Sequence, residues 1–531
     1  MGSLDWGVLG VYFTAIFAVA FWAGKQERSG RESEDFFLAG RNVGWFVIGA
    51  SIFASNIGSE HLIGLAGSGA SSGVAVAQFE ILAGFILLLL GWLFVPFYLS
   101  SGVYTMPEFL ERRYSSGPRT YLAVISVIGY ILTKISVTIA AGGLVFETLL
   151  GIDFWTGALI VVVATGVYTV WGGLRAVLYT DMVQMFVLFG GSIAVTWFGL
   201  QAVGGWGELK ASVGEDVFSL WRPMSDPDFP WTGIIFGAPI LGVWYWCTDQ
   251  FIVQRVLSAR SLEDARKGTI MAAYLKQLPL FLFVVPGIIA MSLAEKGTIT
   301  LETPDAALPV LMTTLLPVGL KGLVVAGLLA ALMSSLSSVF NSCSTIFTMD
   351  IYKRWKPDTS DHNLKRVGQV ATIAMVGLGL LWIPFMDLLS GQLFTYLQSV
   401  QAYISPPIAA VFLIGILWSR ANAKGATWAL GVGAVLGLSR LLLEMNKTDL
   451  SGILLWAAEV NFLHVAFVLF VISCLTLVIV SLVTAKPETE KVDGLTIQTS
   501  TGAAITGATG QLKILSFGVV LLVGVIWLYF S

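Results

Sequence analysis

Fourteen stretches of this chain stay apolar for roughly 17 residues or more, enough for a helix to cross a hydrocarbon layer about 30 Å thick. They cover residues 6–24, 43–68, 76–99, 119–149, 154–171, 179–202, 232–255, 269–295, 318–352, 366–388, 393–418, 424–445, 457–484 and 512–530. A water-soluble domain has no place to hide so many such helices. Charged side chains make up 12% of the 531 residues, about half the share usual in soluble domains. The expected fold is an all-α integral membrane protein with 14 transmembrane helices. Cys247, Cys343 and Cys474 all sit inside apolar runs, so no disulfide framework is visible.

Basic residues orient the spans. If residue 1 lies outside, the odd-numbered loops face the cytoplasm. Those loops carry 22 of the 30 Lys and Arg, including Arg112, Arg113, Arg255, Arg266, Lys353 and Arg420; five lie on the other side and three, Lys134, Lys276 and Arg440, fall within spans. This is the positive-inside pattern, with both termini expected to be extracellular or periplasmic. The first span has Asp5 before it and Lys25 and Arg28 after it, so it reads as a retained helix and not as a cleaved signal peptide. The longest polar connectors, 203–231, 296–317 and 485–511, are too short to form enzymatic domains.

Two spans are interrupted. "SIFASNIGSEHLIGLAGSGASSG" (51–73) places Asn56, Glu60, His61 and several serines and glycines in the second helix, with Glu80 soon after. "FGAPILGVWYWCTDQ" (236–250) breaks the seventh with Pro239, Gly237 and Gly242. At membrane depth, irregular backbone is tolerated where it lines a cavity. Packing glycines alone would not call for the carboxylate, amide and imidazole. Each break opens a set of five helices, 43–202 and 232–418, as in an inverted-repeat transporter with its site near the midplane. The flanking parts are a peripheral helix and first loop (1–42), an extracellular loop (203–231) and C-terminal peripheral helices (419–531).

A sodium ion needs several hard oxygen ligands, and carbonyls freed by an unwound helix together with hydroxyls supply them. The ninth helix gathers Ser334, Ser335, Ser337 and Ser338 within about one turn. That is denser than the usual back-bonding of membrane serines explains. Asp181 places a carboxylate just inside the sixth helix, either at a functional site or as a helix-end charge.

Six segments now carry a resemblance: "ASNIGSEHLIGLAGSG", "WGGLRAVLYTDMVQ", "WYWCTDQFIVQRVLSAR", "AAYLK", "MSSLSSVFNSCSTIFTMDIYKRW" and "SGQLFTYLQSVQAYISPPIAAVF". Together, and in this order, they resemble the sodium/glucose cotransporters of the solute:sodium symporter family, most clearly over 35–420. The resemblance implies a LeuT-type five-plus-five inverted repeat with broken helices 2 and 7. It implies a main sodium site at Ala54, Ile57, Ala331, Ser334 and Ser335, with Ala331 contributing a carbonyl. A second sodium site, present in some members, maps to Ser55, Asp181, Ser337 and Ser338, so one and two coupled ions both stay open.

The family's sugar pocket maps to Asn56, His61, Glu80, Tyr245, Trp246, Lys276 and Gln398. Their chemistry suits a neutral polyol: carboxylate, ammonium, amides and imidazole can pair each hydroxyl as donor and acceptor, while the aromatic faces meet sugar C–H groups. Glu80 and Lys276 are costly at this depth unless paired or facing water. Gly242 departs from the family, whose sugar transporters usually carry a polar side chain there; this puts the preferred sugar in doubt. Lys134 has no evident role.

The expected function is sodium-driven symport of glucose or galactose by alternating access, sodium being the co-transported ion. The expected partners are sugar and lipid, with no nucleic acid. Myo-inositol or another small solute is the alternative cargo, and a sugar sensor on the same fold is the alternative role. A membrane enzyme is disfavoured: the three histidines are dispersed, and no metal cluster or large catalytic loop is visible.

Overall fold

The computed structural model describes residues 2–25, 31–58, 60–386, 393–500 and 509–531. Arg28, the end of the span expected over 366–388 and the side chain of Glu60 lie outside the described residues. Among the described residues the chain is helical throughout, with two isolated β-bridges and no longer strand pairing.

Eleven described helices are long and apolar enough to cross a membrane. The difference from the fourteen expected has three local causes. The stretch expected over 43–68 divides: Trp45–Asn56 is a 12-residue helix, and the rest continues into a 41-residue helical run, His61–Ser101. The stretch over 232–255 is split into four short helical pieces between Trp231 and Leu257. The stretches 154–171 and 179–202 fall in one 50-residue helix, Phe154–Val203. At 1.5 Å per residue that helix would run about 75 Å, more than twice the hydrocarbon thickness. It bends at Gly173, where φ is 59° and ψ −155°. A side chain there would also strike Phe36, its Cβ lying 2.5 Å from the Phe36 carbonyl oxygen, so glycine is required twice over.

Helix Leu320–Ile346 is the central post. Every residue from Val324 to Ile346 is buried, so its serines face protein on all sides. It packs along Phe154–Val203. Its N-terminus is held by Asp5, whose Oδ1 accepts from the backbone of Gly319 (2.6 Å) and Gly322 (2.8 Å), a carboxylate where the helix dipole favours one. Peripheral helices turn Val483, Ile514 and Leu528 outward, as lipid as solvent allows.

The two interrupted segments are tied at one end. The amide of Val43 donates to the Ser258 carbonyl and that of Arg260 to the Val43 carbonyl, both at 3.1 Å. Beyond its break, the first segment continues as helix Ala66–Ser72, which lies backbone to backbone against Val285–Glu295. A Cβ on Gly287 would sit 1.9 Å from the Ala66 carbonyl oxygen, and one on Gly69 2.4 Å from that of Val284. Close approach through small residues is the usual means of helix association in lipid.

Candidate functional site

Helix Trp45–Asn56 stops because Ile57 leaves the helical region, at φ −77° and ψ 94°. The Leu62 amide then donates to the Gly58 carbonyl, at 3.2 Å, as helix resumes. This break puts Asn56 and His61 on the wall of a cavity that also touches Glu80, Tyr245, Trp246 and Gln398. Six of the seven residues matched to a sugar pocket thus line one space.

Lys276, the seventh, stands behind that wall and is fully buried. Its Nζ donates to Glu80 Oε2 and to Asn56 Oδ1. Asn56 Nδ2 donates in turn to the Tyr245 hydroxyl at 3.0 Å. His61 Nε2 lies 3.3 Å from Glu80 Oε1. One polar chain, His61–Glu80–Lys276–Asn56–Tyr245, therefore joins four distant segments. The pairing answers the cost of burying a carboxylate and an ammonium. It leaves a neutral surface rich in both donors and acceptors. Trp246 packs its ring 5.4 Å from the ammonium.

A second polar layer lies between Trp45–Asn56, Phe154–Val203 and Leu320–Ile346. Ser335 Oγ donates to the Ser55 carbonyl at 2.9 Å, and Ser338 Oγ to Ser55 Oγ at 2.9 Å. Ser334 Oγ turns to Asp181 Oδ1 at 2.6 Å. Ser55 and Ser51 donate to Asp181 Oδ2, and Ser337 bonds back to the Ser334 carbonyl at 3.0 Å. Ala54 and Ile57 are buried beside the break, and Ala331 is buried one turn before Ser335. Asp181 and the serines matched to two separate sodium sites thus form one connected layer, with Ser334 linked to Asp181.

Three comparisons bear on this arrangement. The sodium:solute symporter family matches residues 36–433. Rabbit (Oryctolagus cuniculus) sodium/glucose cotransporter 1 is 40% identical over 528 residues, covering 91% of this chain and 79% of the relative. This chain belongs to the sodium:solute symporter family. Human sodium/myo-inositol cotransporter 2 is also 40% identical, covering 93% of this symporter and 78% of the relative. A Na+-coupled sialic acid symporter, solved substrate-bound and outward-open, shares the fold: TM-score 0.80 at 22% identity, covering 92% of this chain and 99% of that one. The protein is accordingly a sodium-coupled, multi-pass membrane transporter, not an enzyme.

Several residues of this symporter escaped the sequence reading. Arg255, counted there as a loop charge, is fully buried. Its Nε donates to Ser55 Oγ (3.0 Å) and Ser51 Oγ (3.2 Å), its Nη2 to Ser338, and it lies 3.8 Å from Asp181 Oδ2. Arg113, also counted as a loop charge, is buried and caps the carbonyls of Gly415, Trp418 and Ala421. Lys134, left without a role, pairs with Asp249 at 3.0 Å and lies over the rings of Tyr245 and Phe251. Ser51 carried a signal, one turn before Ser55 on the same helix. Arg255 carried none, since hydropathy does not tell a helix end in water from one in protein.

Proposed function

We propose that this symporter carries a neutral polyol, glucose or galactose, into the cell with sodium. The observation that supports this most is the buried His61–Glu80–Lys276–Asn56–Tyr245 chain beside the cavity. Its charges cancel internally, so an anionic or cationic solute would find no unpaired counter-charge in it, while hydroxyls would find both donors and acceptors. Gln398 adds an amide and Trp246 a flat face. Myo-inositol is the second reading, favoured by the relative that carries that name at equal identity and by Gly242, which leaves one stretch of the cavity wall without a polar group.

On this reading, Ala54, Ile57, Ala331, Ser334 and Ser335 hold the main sodium. Ser55, Asp181, Ser337 and Ser338 offer a second cation position, which the Arg255 guanidinium must vacate for sodium to enter. The chain crosses the membrane fourteen times with both ends outside, the 50-residue helix supplying two crossings and the split segments one each. Repeats 43–202 and 232–418 move against each other in alternating access.

Uptake of radiolabelled sugars into proteoliposomes under sodium, potassium and proton gradients tests the function. Sodium-driven accumulation of glucose, galactose or myo-inositol is expected; accumulation of an amino acid or sialic acid in their place would overturn the polyol reading. The reversal potential of the sugar-coupled current counts the ions, since each charge moved adds about 2.3 kcal/mol per 100 mV.

A further inference from the structure

A second cavity lies directly past Tyr245. It is lined by Tyr130, Lys134, Trp244, Thr248, Asp249 and Gln401, with apolar neighbours. It shares Gln401 with the first cavity. The two are parted at consecutive residues: Tyr245 faces the first and Trp244 the second. Gln401 stands three residues after Gln398 on helix Leu393–Leu417, hence on the same face. Its amide makes no hydrogen bond among the described residues.

The second cavity repeats the chemistry of the first with residues that, Gln401 apart, are its own. A lysine–carboxylate pair stands at each: Glu80 on the wall of the first with Lys276 behind it, and Lys134–Asp249 in the wall of the second. Each adds a tyrosine hydroxyl bonded into the polar set: Tyr245 accepts from Asn56, and Tyr130 donates to Asp249 Oδ1. Each offers an indole, Trp246 or Trp244, and a glutamine, Gln398 or Gln401. Asp249 is also fixed by its backbone role, accepting from the Phe251 amide at 3.1 Å as cap of helix Gln250–Leu257. A gate that merely closed would need apolar bulk. This surface holds paired charges and an amide that makes no hydrogen bond among the described residues, which suits a solute with many hydroxyls.

We propose that this cavity is a second binding site for the transported polyol, occupied on the cytoplasmic side after Tyr245 gives way. Its lining places it there: Leu122, Ile125 and Ser126 belong to the half of the helical run Ser116–Gly143 next to the basic segment at Arg112 and Arg113, and Ile408 to the half of helix Leu393–Leu417 next to Arg420. The proposal rests on the polyol reading and the orientation given above. Sugar leaving the main cavity is handed to a matching set of partners before it meets cytoplasmic water, so its hydroxyls are not stripped of partners on the way.

Currents from excised patches read both faces. Sugar applied to the cytoplasmic face of inside-out patches, with sodium, drives outward current with its own half-saturating concentration; outside-out patches give the outer value. Trp244→Leu removes the flat face of the second cavity, and Asp249→Asn removes its charge while an amide oxygen can still cap Phe251. Each is expected to raise the inner half-saturating sugar about tenfold and to leave the outer value within about twofold. An outer value preserved in this way also shows that the variant folds. If both faces shift equally, or the inner value stays put while only the maximal current falls, the residues form a gate and the second site is overturned. If wild type gives no sugar current from either face, the polyol reading itself fails.

Discussion

The guanidinium of Arg255 lies 3.8 Å from the carboxylate of Asp181, with both side chains wholly shielded from solvent. Each is the other's counter-charge, and the shared serines Ser51 and Ser55 bridge them. Removing one partner of such a pair strands the other, at about 3–5 kcal/mol. Arg255→Met and Asp181→Asn should each lower stability by about that much, and the double variant should recover more than half of the summed loss. Thermal unfolding in detergent, run as a double-mutant cycle, measures this coupling; strictly additive losses would show that the two side chains do not act as a pair.

Glu80 is predicted to matter for sugar more than for sodium. In Glu80→Gln, Lys276 keeps Asn56 but loses its counter-charge. Hydrogen bonds involving charged groups are worth about 1.5–3 kcal/mol, so the half-saturating sugar concentration should rise about tenfold or more. Sodium binding measured without sugar should persist. Equal loss of both would make Glu80 a structural residue and not a sugar ligand.

Ser335 connects the central post to the helix break through the Ser55 carbonyl. Ser335→Ala should raise the half-saturating sodium several-fold, in line with about 1 kcal/mol for one lost polar contact. Because linkage is reciprocal, apparent sugar affinity should fall at low sodium and return at high sodium. Sodium activation curves at several sugar concentrations decide it, and curves that overlay wild type would remove Ser335 from the proposed sodium site.

Gly242 is a lever on selectivity. A Cβ there would lie 3.0 Å from Ile86 Cγ1, so the isoleucine would have to give by a few tenths of an ångström. Gly242→Ser would place a hydroxyl on the cavity wall. A new hydrogen bond of about 1 kcal/mol should change the ratio of glucose to myo-inositol uptake about fivefold. Competition uptake in proteoliposomes reads the ratio, and an unchanged ratio would mean that cargo does not touch this wall.

Much of this site was legible in the sequence because its signals are local. An asparagine, a histidine and serines inside an apolar run announce a break wherever the run folds, and Glu80 and Lys276 are conspicuous at membrane depth. What stayed hidden depends on direction. Arg255 ends an apolar stretch, and a loop charge looks the same until helix packing turns it inward. Lys134 and Asp249 are 115 residues apart, and nothing in either neighbourhood names the other. Ser334 and Ser335 are adjacent, yet one turns to Asp181 and the other to the Ser55 carbonyl. The number of spans was blurred for a related reason: hydropathy sees oil, whereas a helix count also depends on whether backbone breaks fall inside the oil or between two lengths of it.

The contact of Gly287 with the Ala66 backbone has a mechanical consequence. With 1.9 Å between a would-be Cβ and the facing carbonyl, Ala66–Ser72 and Val285–Glu295 are packed backbone to backbone and are expected to swing as a single lever. On that expectation the compliance needed for rocking would be concentrated in the short stretch at Ile57 and Gly58, beside the polar layer proposed to hold sodium. An ion bound there would act as a brake on the pivot. Wedging the lever apart with Gly287→Ala should slow turnover several-fold with little change in the half-saturating sodium or sugar, a result that pre-steady-state currents can separate from a binding defect.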